Sequence, residues 1–299
     1  MARIEIIEVG PRDGLQNQDA LLSTQDKLAL IEKLLAAGAR RIEAASFVNP
    51  KRVPQMADAE AVAAGLPRGT GATFIGLVLN ERGVERALAS GIDEIGVVAV
   101  ASDEFGLRNQ KQTAAQSVEV AKAVIRAAKD AGRPVRATIA TAFGCPFEGE
   151  VPLARVVDMA RTIAEAGPRE IAVADTVGVG VPAQVKAMVA ALKSELPGMP
   201  LRCHFHNTRN TGIANAFAAV EAGVTRLDAS VGGIGGCPFA PAATGNIATE
   251  DLVYMLERSG FDTGYDLDAL AAMVPWLSGK LDLDKLPAMV SRASPFPPR

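Results

Sequence analysis

The stretch LLAAGARRIE, Leu34–Glu43, ends a run of helical period in small residues and a glycine, then passes within a few residues into a strand-like run. The same junction returns as ALASGIDEIG (Ala87–Gly96), IAEAGPREIA (Ile163–Ala172) and AVEAGVTRLD (Ala219–Asp228). Glycine enters the left-handed conformation without steric cost, so Gly38, Gly91, Gly167 and Gly223 read as helix C-caps. A helix that hands over to a strand at each repeat is the second half of a βα unit.

Working outward, the runs RIEIIEV, RIEAASF, TFIGLVL, EIGVVAV, VRATIATAF, EIAVADTVG, LRCHFH and RLDASVGG are eight candidate strands. Longer Ala-, Leu- and charge-rich segments of helical period separate them. Eight such units within 299 residues predict an α/β fold, a closed (β/α)8 TIM barrel with extra C-terminal helices. An open doubly wound sheet is the alternative. No Pro/Gly/Ser linker divides the chain. The barrel is expected over residues 1–260, with a helical extension, including LAAMVPWLSGKL, packed on it over 261–299.

Composition narrows the function. Hydrophobic residues make up 48% and charged residues 22%, and 31 basic against 34 acidic side chains leave a formal charge of -3. That balance gives no basic footprint for nucleic acid and no membrane-binding charge, so a small-molecule substrate is expected. The start, MARIEIIEVG, lacks the basic and apolar regions of a signal peptide, and a cytoplasmic location is expected. Three scattered cysteines, Cys145, Cys203 and Cys237, suit reduced thiols rather than a disulfide framework.

A barrel of this kind keeps its chemistry at the carboxyl ends of its strands, and polar groups gather there. EVGPRDGLQNQ (Glu8–Gln18) brings Arg12, Asp13 and Gln16 behind the first strand. Glu43 lies on the second strand, Asp175 on the sixth in ADTVG, and CHFHN (Cys203–Asn207) on the seventh. His204 and His206 are the only 2 histidines, and side chains at i and i+2 of a strand face the same way. Two imidazoles on an inward face, with Asp13 available, are half of a divalent-metal site; mixed N/O ligation suits Mg, Mn or Zn. The alternative is a pair of core histidines satisfied by backbone groups. After strand eight, SVGGIGGCPFAPAATGN (Ser230–Asn246) places Cys237 in an uncharged glycine-rich loop. There it is positioned to act as an acid or base on a bound substrate; otherwise it is an incidental apolar residue in a turn. Cys145 reads as structural, and Cys203 points away from the histidine pair and is given no role.

Several segments together carry a family resemblance. EVGPRDGLQNQ, IEAASFVNPKRVPQMADAE, FGCPFEGEV, ADTVGVGVP and GGIGGCPFAPAATGNIATEDLVYML resemble, in order, the conserved segments of the 3-hydroxy-3-methylglutaryl-CoA lyase family. The resemblance implies a metal-dependent lyase on a (β/α)8 barrel that splits a 3-hydroxyacyl-CoA bearing a terminal carboxylate into acetyl-CoA and a keto acid. It implies Asp13, His204, His206 and Asn246 as metal ligands, Arg12 beside the thioester carbonyl, and Cys237 as the proton donor or relay. Gln16, Glu43 and Asp175 match polar active-site positions, the last two for proton relay or hydroxyl positioning. A homodimer and a place in leucine catabolism are also implied.

The resemblance breaks after the second histidine. The family pattern His-Asp-Thr-Tyr-Gly-Gln is replaced by His206, Asn207, Thr208, Arg209, Asn210, Thr211. Thr208 and Arg209 are therefore candidate substrate-binding residues, the guanidinium suiting a carboxylate or phosphate. Citramalyl-CoA or a longer 3-substituted glutaryl-CoA becomes an alternative substrate. His-x-His-Asn is also similar to the isopropylmalate and homocitrate synthases, which run the Claisen reaction forward. Their Gly-Glu-Arg loop is absent, and GGIGGCPFAP stands in its place. A non-catalytic metal-binding scaffold, the remaining class, predicts lost ligands, and no candidate ligand is missing.

Overall fold

The computed structural model describes residues 1–236, 245–294 and 296. Its strands are β1 (Glu5–Glu8), β2 (Arg41–Ser46), β3 (Thr73–Val78), β4 (Glu94–Val100), β5 (Val135–Ala140), β6 (Ile171–Asp175), β7 (Leu201–Phe205) and β8 (Arg226–Ala229). Each pairs in parallel with the next, and β8 returns to β1 in register from Glu5 opposite Arg226 to Glu8 opposite Ala229. That last pairing closes the barrel and excludes the open sheet. The helices are α1 (Thr24–Ala36), α2 (Ala59–Gly65), α3 (Glu81–Ala89), α4 (Asp103–Asn109), α5 (Ala114–Asp130), α6 (Leu153–Ala164), α7 (Pro182–Glu195), α8 (Gly212–Glu221), α9 (Thr249–Arg258) and α10 (Leu267–Lys280).

The junction glycines do what their sequence pattern requires. Gly38 has φ +103° and Gly223 φ +86°, values that an L side chain adopts only under strain. Gly38 carries a second constraint, since a Cβ there would stand 2.3 Å from the Gly264 carbonyl oxygen. This close approach lets the segment after α9 lie against the end of α1, where Asp266 N–H donates to the Ala37 carbonyl at 2.8 Å. From there α10 packs on α1 and α9.

Between strands and helices the core is aliphatic: Leu30, Ile31, Leu34, Ile42, Ile163 and Leu192 are all fully buried. Each such side chain contributes roughly 1.5–3 kcal/mol relative to exposure. The inside of the barrel differs. Along β7, Cys203 and Phe205 face the helices, while Arg202, His204 and His206 border the chamber within the barrel. Lower in the barrel, Arg41 donates to Glu94 and Glu170, and Arg202 donates to Glu170 and Asp228. Charged residues thus replace the branched aliphatics that commonly fill the interior of this fold. Among the described residues no helix is long and apolar enough to cross a membrane.

Candidate metal centre and acyl pocket

The site begins with a tight turn. After β1 the segment Gly10–Gly14 forms one π-helical turn, in which the N–H groups of Arg12, Asp13 and Gly14 all point at the Val9 carbonyl. Pro11 needs no hydrogen-bond partner at this position. The turn thereby brings Arg12 and Asp13 to the mouth of the barrel.

Arg12 is held from two sides. Its Nε donates to Glu43 Oε2 at 2.8 Å and its Nη1 to Asp13 Oδ1 at 2.7 Å. Burial disfavours the guanidinium charge, but Glu43 and Asp13 outweigh it and keep Arg12 ionised. The other Glu43 oxygen accepts from Arg136 Nη2 at 2.8 Å. Glu43 is therefore clasped between two guanidinium groups. Glu43 borders the chamber, as expected of a residue for proton relay or hydroxyl positioning, and it also anchors Arg12.

Asp13, His204 and His206 come together as a group able to hold a metal ion, their candidate ligand atoms all within 4.8 Å of one another. The His204 and His206 ring centroids are 5.1 Å apart. His204 Nδ1 lies 3.2 Å from Asp228 Oδ2, while its Nε2 faces Asp13 Oδ2 at 3.8 Å. Asp228 thus orients the ring and leaves Nε2 toward the ligand position. Burial and the neighbouring His204 push the His206 imidazole down to about 4, so at neutral pH it is uncharged and one ring nitrogen keeps a free lone pair. Burial would raise the Asp13 carboxyl, but Arg12 and then the two imidazoles hold it below the usual carboxylate range.

Asn246 completes the set. It forms an antiparallel bridge with His206, and its Nδ2 donates to Asp13 Oδ2 at 3.0 Å and to the Ile234 carbonyl at 3.1 Å. Its Oδ1, like His206 Nδ1, is buried without a hydrogen-bond partner. An unpaired buried acceptor costs on the order of 1–3 kcal/mol. Two of them beside an ionised carboxylate are the donor set a divalent cation satisfies, so the residues present fit a metal. The fit speaks against two core histidines satisfied by backbone groups.

The centre opens into a chamber of about 1540 Å³. Gln16 borders it, with Oε1 buried and unpartnered. Small side chains, Gly96, Val98, Thr138, Ala140 and Ala174, line one part of its inner wall, and Arg136, Arg202 and Asp228 line another. Toward solvent the rim carries Lys51, Arg52 and Arg82, cations with no carboxylate partner among the described residues.

Three expected site residues lie elsewhere. Asp175 does not border the chamber, although its neighbours Ala174 and Thr176 do. Strand alternation turns it outward, and its two carboxylate oxygens accept the Val179 and Gly180 N–H groups at 2.9 Å each. It ties down the turn after β6 and is not placed for proton relay. Thr208 and Arg209 are also absent from the chamber wall. Arg209 is exposed, and its Nη1 donates to the Val177 and Gly178 carbonyls at 3.2 and 3.0 Å. Cys237 falls outside the described residues. Cys145 is buried and accepts the Ser102 hydroxyl at 2.9 Å on Sγ, a structural contact. Burial pushes the Cys203 thiol up to about 12, where it is inert.

The sequence reading missed Arg136, Arg202 and Asp228. The signal was present: Arg202, His204 and His206 share one face of β7 by the same i, i+2 rule that singled out the histidines.

Comparison with known proteins follows the same lines. The family model described as HMGL-like matches residues 3–275. The chain is 44% identical to (R)-citramalyl-CoA lyase of Chloroflexus aurantiacus, over 100% of this chain and 97% of that one. It is 41% identical to hydroxymethylglutaryl-CoA lyase of Bacillus subtilis, over 93% of each. A solved HMG-CoA lyase from Acinetobacter baumannii, in complex with coenzyme A and 3-methylmalate, superposes with a TM-score of 0.94 at 39% identity, covering 99% of this chain and 96% of that one.

Proposed function

The chain belongs to the HMGL-like family, and from that premise we propose that it is a divalent-metal-dependent lyase that cleaves 3-hydroxy-3-methylglutaryl-CoA to acetyl-CoA and acetoacetate. The observation that carries this reading is the ligand set: Asp13, His204 and His206 border the chamber with Arg12, and Asn246 is bonded to Asp13 with its Oδ1 buried and unpartnered. Mg or Mn suits the oxygen-rich half of that set.

In the reaction the C2–C3 bond breaks, the C3 hydroxyl proton leaves, C3 becomes a ketone, and C2 departs as the enolate of the thioester and takes up a proton. A metal held by Asp13, His204, His206 and Asn246 would acidify the hydroxyl and fix its geometry. Arg12 steadies the thioester oxygen as it gains enolate charge. Its direction is set by Glu43, so the stabilisation is preorganised rather than recruited. Asp228 keeps His204 turned toward the ligand position. Cys237 delivers the proton to C2, the role its family resemblance implies. Lys51, Arg52 and Arg82 on the rim receive the phosphates of coenzyme A.

A second substrate is favoured by the similarity to the citramalyl-CoA lyase over the whole chain. Citramalyl-CoA has one methylene fewer between the hydroxyl carbon and the carboxylate, and the same cleavage yields acetyl-CoA and pyruvate. Purified protein incubated with each acyl-CoA and Mg(II) or Mn(II), followed by mass spectrometry, decides between them. Release of acetyl-CoA that chelation abolishes is expected. No acetyl-CoA from either substrate sinks the reading, and consumption of acetyl-CoA with a 2-oxo acid would make the protein a synthase instead.

A further inference from the structure

Glu8 is the last residue of β1, fully buried, and does not border the chamber. Its carboxylate nevertheless gathers three donors from three segments. Oε1 accepts the Gly10 N–H at 2.8 Å and the Val231 N–H at 3.0 Å, and Oε2 accepts the Thr249 hydroxyl at 2.7 Å. Gly10 opens the turn that carries Arg12 and Asp13. Val231 opens the segment that runs through Ile234 toward the glycine-rich stretch containing Cys237. Thr249 is the first residue of α9.

The glycines of the GPRDG turn sit where these parts touch. A Cβ at Gly10 would meet Glu8 Oε1 at 2.7 Å, and one at Gly14 would meet Ile234 Cγ1 at 2.7 Å and Ser230 Oγ at 2.8 Å. Beside this contact Glu250, also fully buried, accepts the Gly232 N–H on both oxygens at 3.1 and 3.0 Å. Gly232 holds φ +71°. Two N–H groups converge on one oxygen of Glu8 and a hydroxyl meets the other, a set that a carboxyl group satisfies completely and an apolar side chain cannot. Burial drives the Glu8 carboxyl up to about 7 against the pull of Thr249, Val231 and Gly10. A fold that only needed an apolar plug here would not carry that cost.

We propose that Glu8 is a positioning residue for the cleavage reaction, its one carboxylate setting the turn of Arg12 and Asp13 against the root of the glycine-rich segment. It touches neither metal nor substrate and acts through the backbone of both. The reaction named here rests on the function proposed above, whereas the placement of Asp13 does not.

The test uses the full chain and two variants, Glu8→Gln, which keeps the shape but removes the charge and turns one acceptor oxygen into a donor, and Thr249→Val, which keeps the carboxyl group and deletes one bond. Mn(II) affinity is measured by titration calorimetry, kcat and KM by acetyl-CoA release, and folding by thermal melting. In the folded variants kcat should fall at least about tenfold for Glu8→Gln and about threefold for Thr249→Val, with KM little changed. Mn(II) affinity should weaken in the same order. Folded variants with wild-type kcat and Mn(II) affinity overturn the proposal, leaving Glu8 a residue of stability alone. If Glu8→Gln does not fold, Thr249→Val carries the test. If the wild type cleaves no acyl-CoA, the proposed function fails and Mn(II) affinity by itself decides the role of Glu8.

Discussion

The lower interior of the barrel and its mouth use the same kinds of side chain and finish their bonding differently. Below, both oxygens of Glu94 and both of Glu170 accept from guanidinium groups of Arg41, Arg169 and Arg202. Above, His206 Nδ1, Asn246 Oδ1 and two nitrogens of Arg136 are buried with nothing to bond. A buried ionic cluster is tolerated when its partners are complete. The unpaired acceptors at the mouth, His206 Nδ1 and Asn246 Oδ1, are groups whose bonding a bound cation would complete. Asp228 joins the two regions, one oxygen receiving Arg202 from below and His204 at the mouth. The difference separates charges that hold the barrel from those the proposed chemistry would use, although both face its axis.

The widest contrast is expected at the histidines. His204→Ala or His206→Ala should lower kcat by on the order of 10³-fold or more, about 4 kcal/mol in the barrier, because the metal's charge stabilisation is lost with its ligand. Metal-free stability should change far less for His206→Ala, since His206 Nδ1 has no bond to lose, whereas His204→Ala also gives up the contact with Asp228. Chelation of the wild type should reproduce the loss of activity, and metal add-back should restore the wild type but neither variant. Full activity of either variant after add-back would falsify the ligand assignment.

Glu170→Gln should invert that pattern. Glu170 is fully buried and accepts from Arg41 Nη1, Arg41 Nη2 and Arg202 Nε at 3.0 Å each. Burial would raise its carboxyl, but Arg202 and Arg41 hold it far below the usual range. Its contribution is therefore complete at neutral pH and is lost only as pH falls through that lowered value. Removing the charge leaves buried guanidinium groups uncompensated and should cost about 3–5 kcal/mol of unfolding free energy. Denaturant melts at pH 7 measure it, with kcat of the folded fraction within a few-fold of wild type. A variant as stable as the wild type but inactive would mean that the lower cluster tunes the site rather than supports it.

Much of this was legible in the chain. The glycine junctions at Gly38, Gly91, Gly167 and Gly223 marked the βα repeat, because a positive φ is a local demand that only a few residue types meet. The candidate ligands were legible because strand alternation puts His204 and His206 on one face and because the chain has only 2 histidines. Asp175 was misplaced for the same reason in reverse. It stands at a strand end, where catalytic groups gather, but one position out of phase, so it caps a turn. Glu43 lies at the site, while its partner Arg136, which holds the oxygen that Arg12 leaves free, was not foreseen. Such pairings join strands far apart in sequence, and no local pattern records them.

The smallest effect is expected where the chain departs from the family pattern. Read alone, Arg209 offers a fork for a substrate carboxylate and a loss of at least about tenfold when it is removed. In the structure Arg209 and Thr211 tie this loop to the turn after β6, and neither borders the chamber. Asn207 Oδ1 accepts the Gly212 N–H at 3.0 Å at the start of α8, and Thr211 donates its hydroxyl to the Gly180 carbonyl at 3.1 Å. Asn210 takes φ +57°, a conformation asparagine tolerates better than most residues. Arg209 adds its bonds to the Val177 and Gly178 carbonyls from an exposed position. Arg209→Ala should therefore change kcat/KM by less than about threefold, and by the same factor for 3-hydroxy-3-methylglutaryl-CoA and citramalyl-CoA. Steady-state kinetics on both substrates measure the ratio. A shift of tenfold or more would show that the guanidinium leaves the carbonyls for the acyl group during turnover, and would return this loop to the specificity-determining wall of the site.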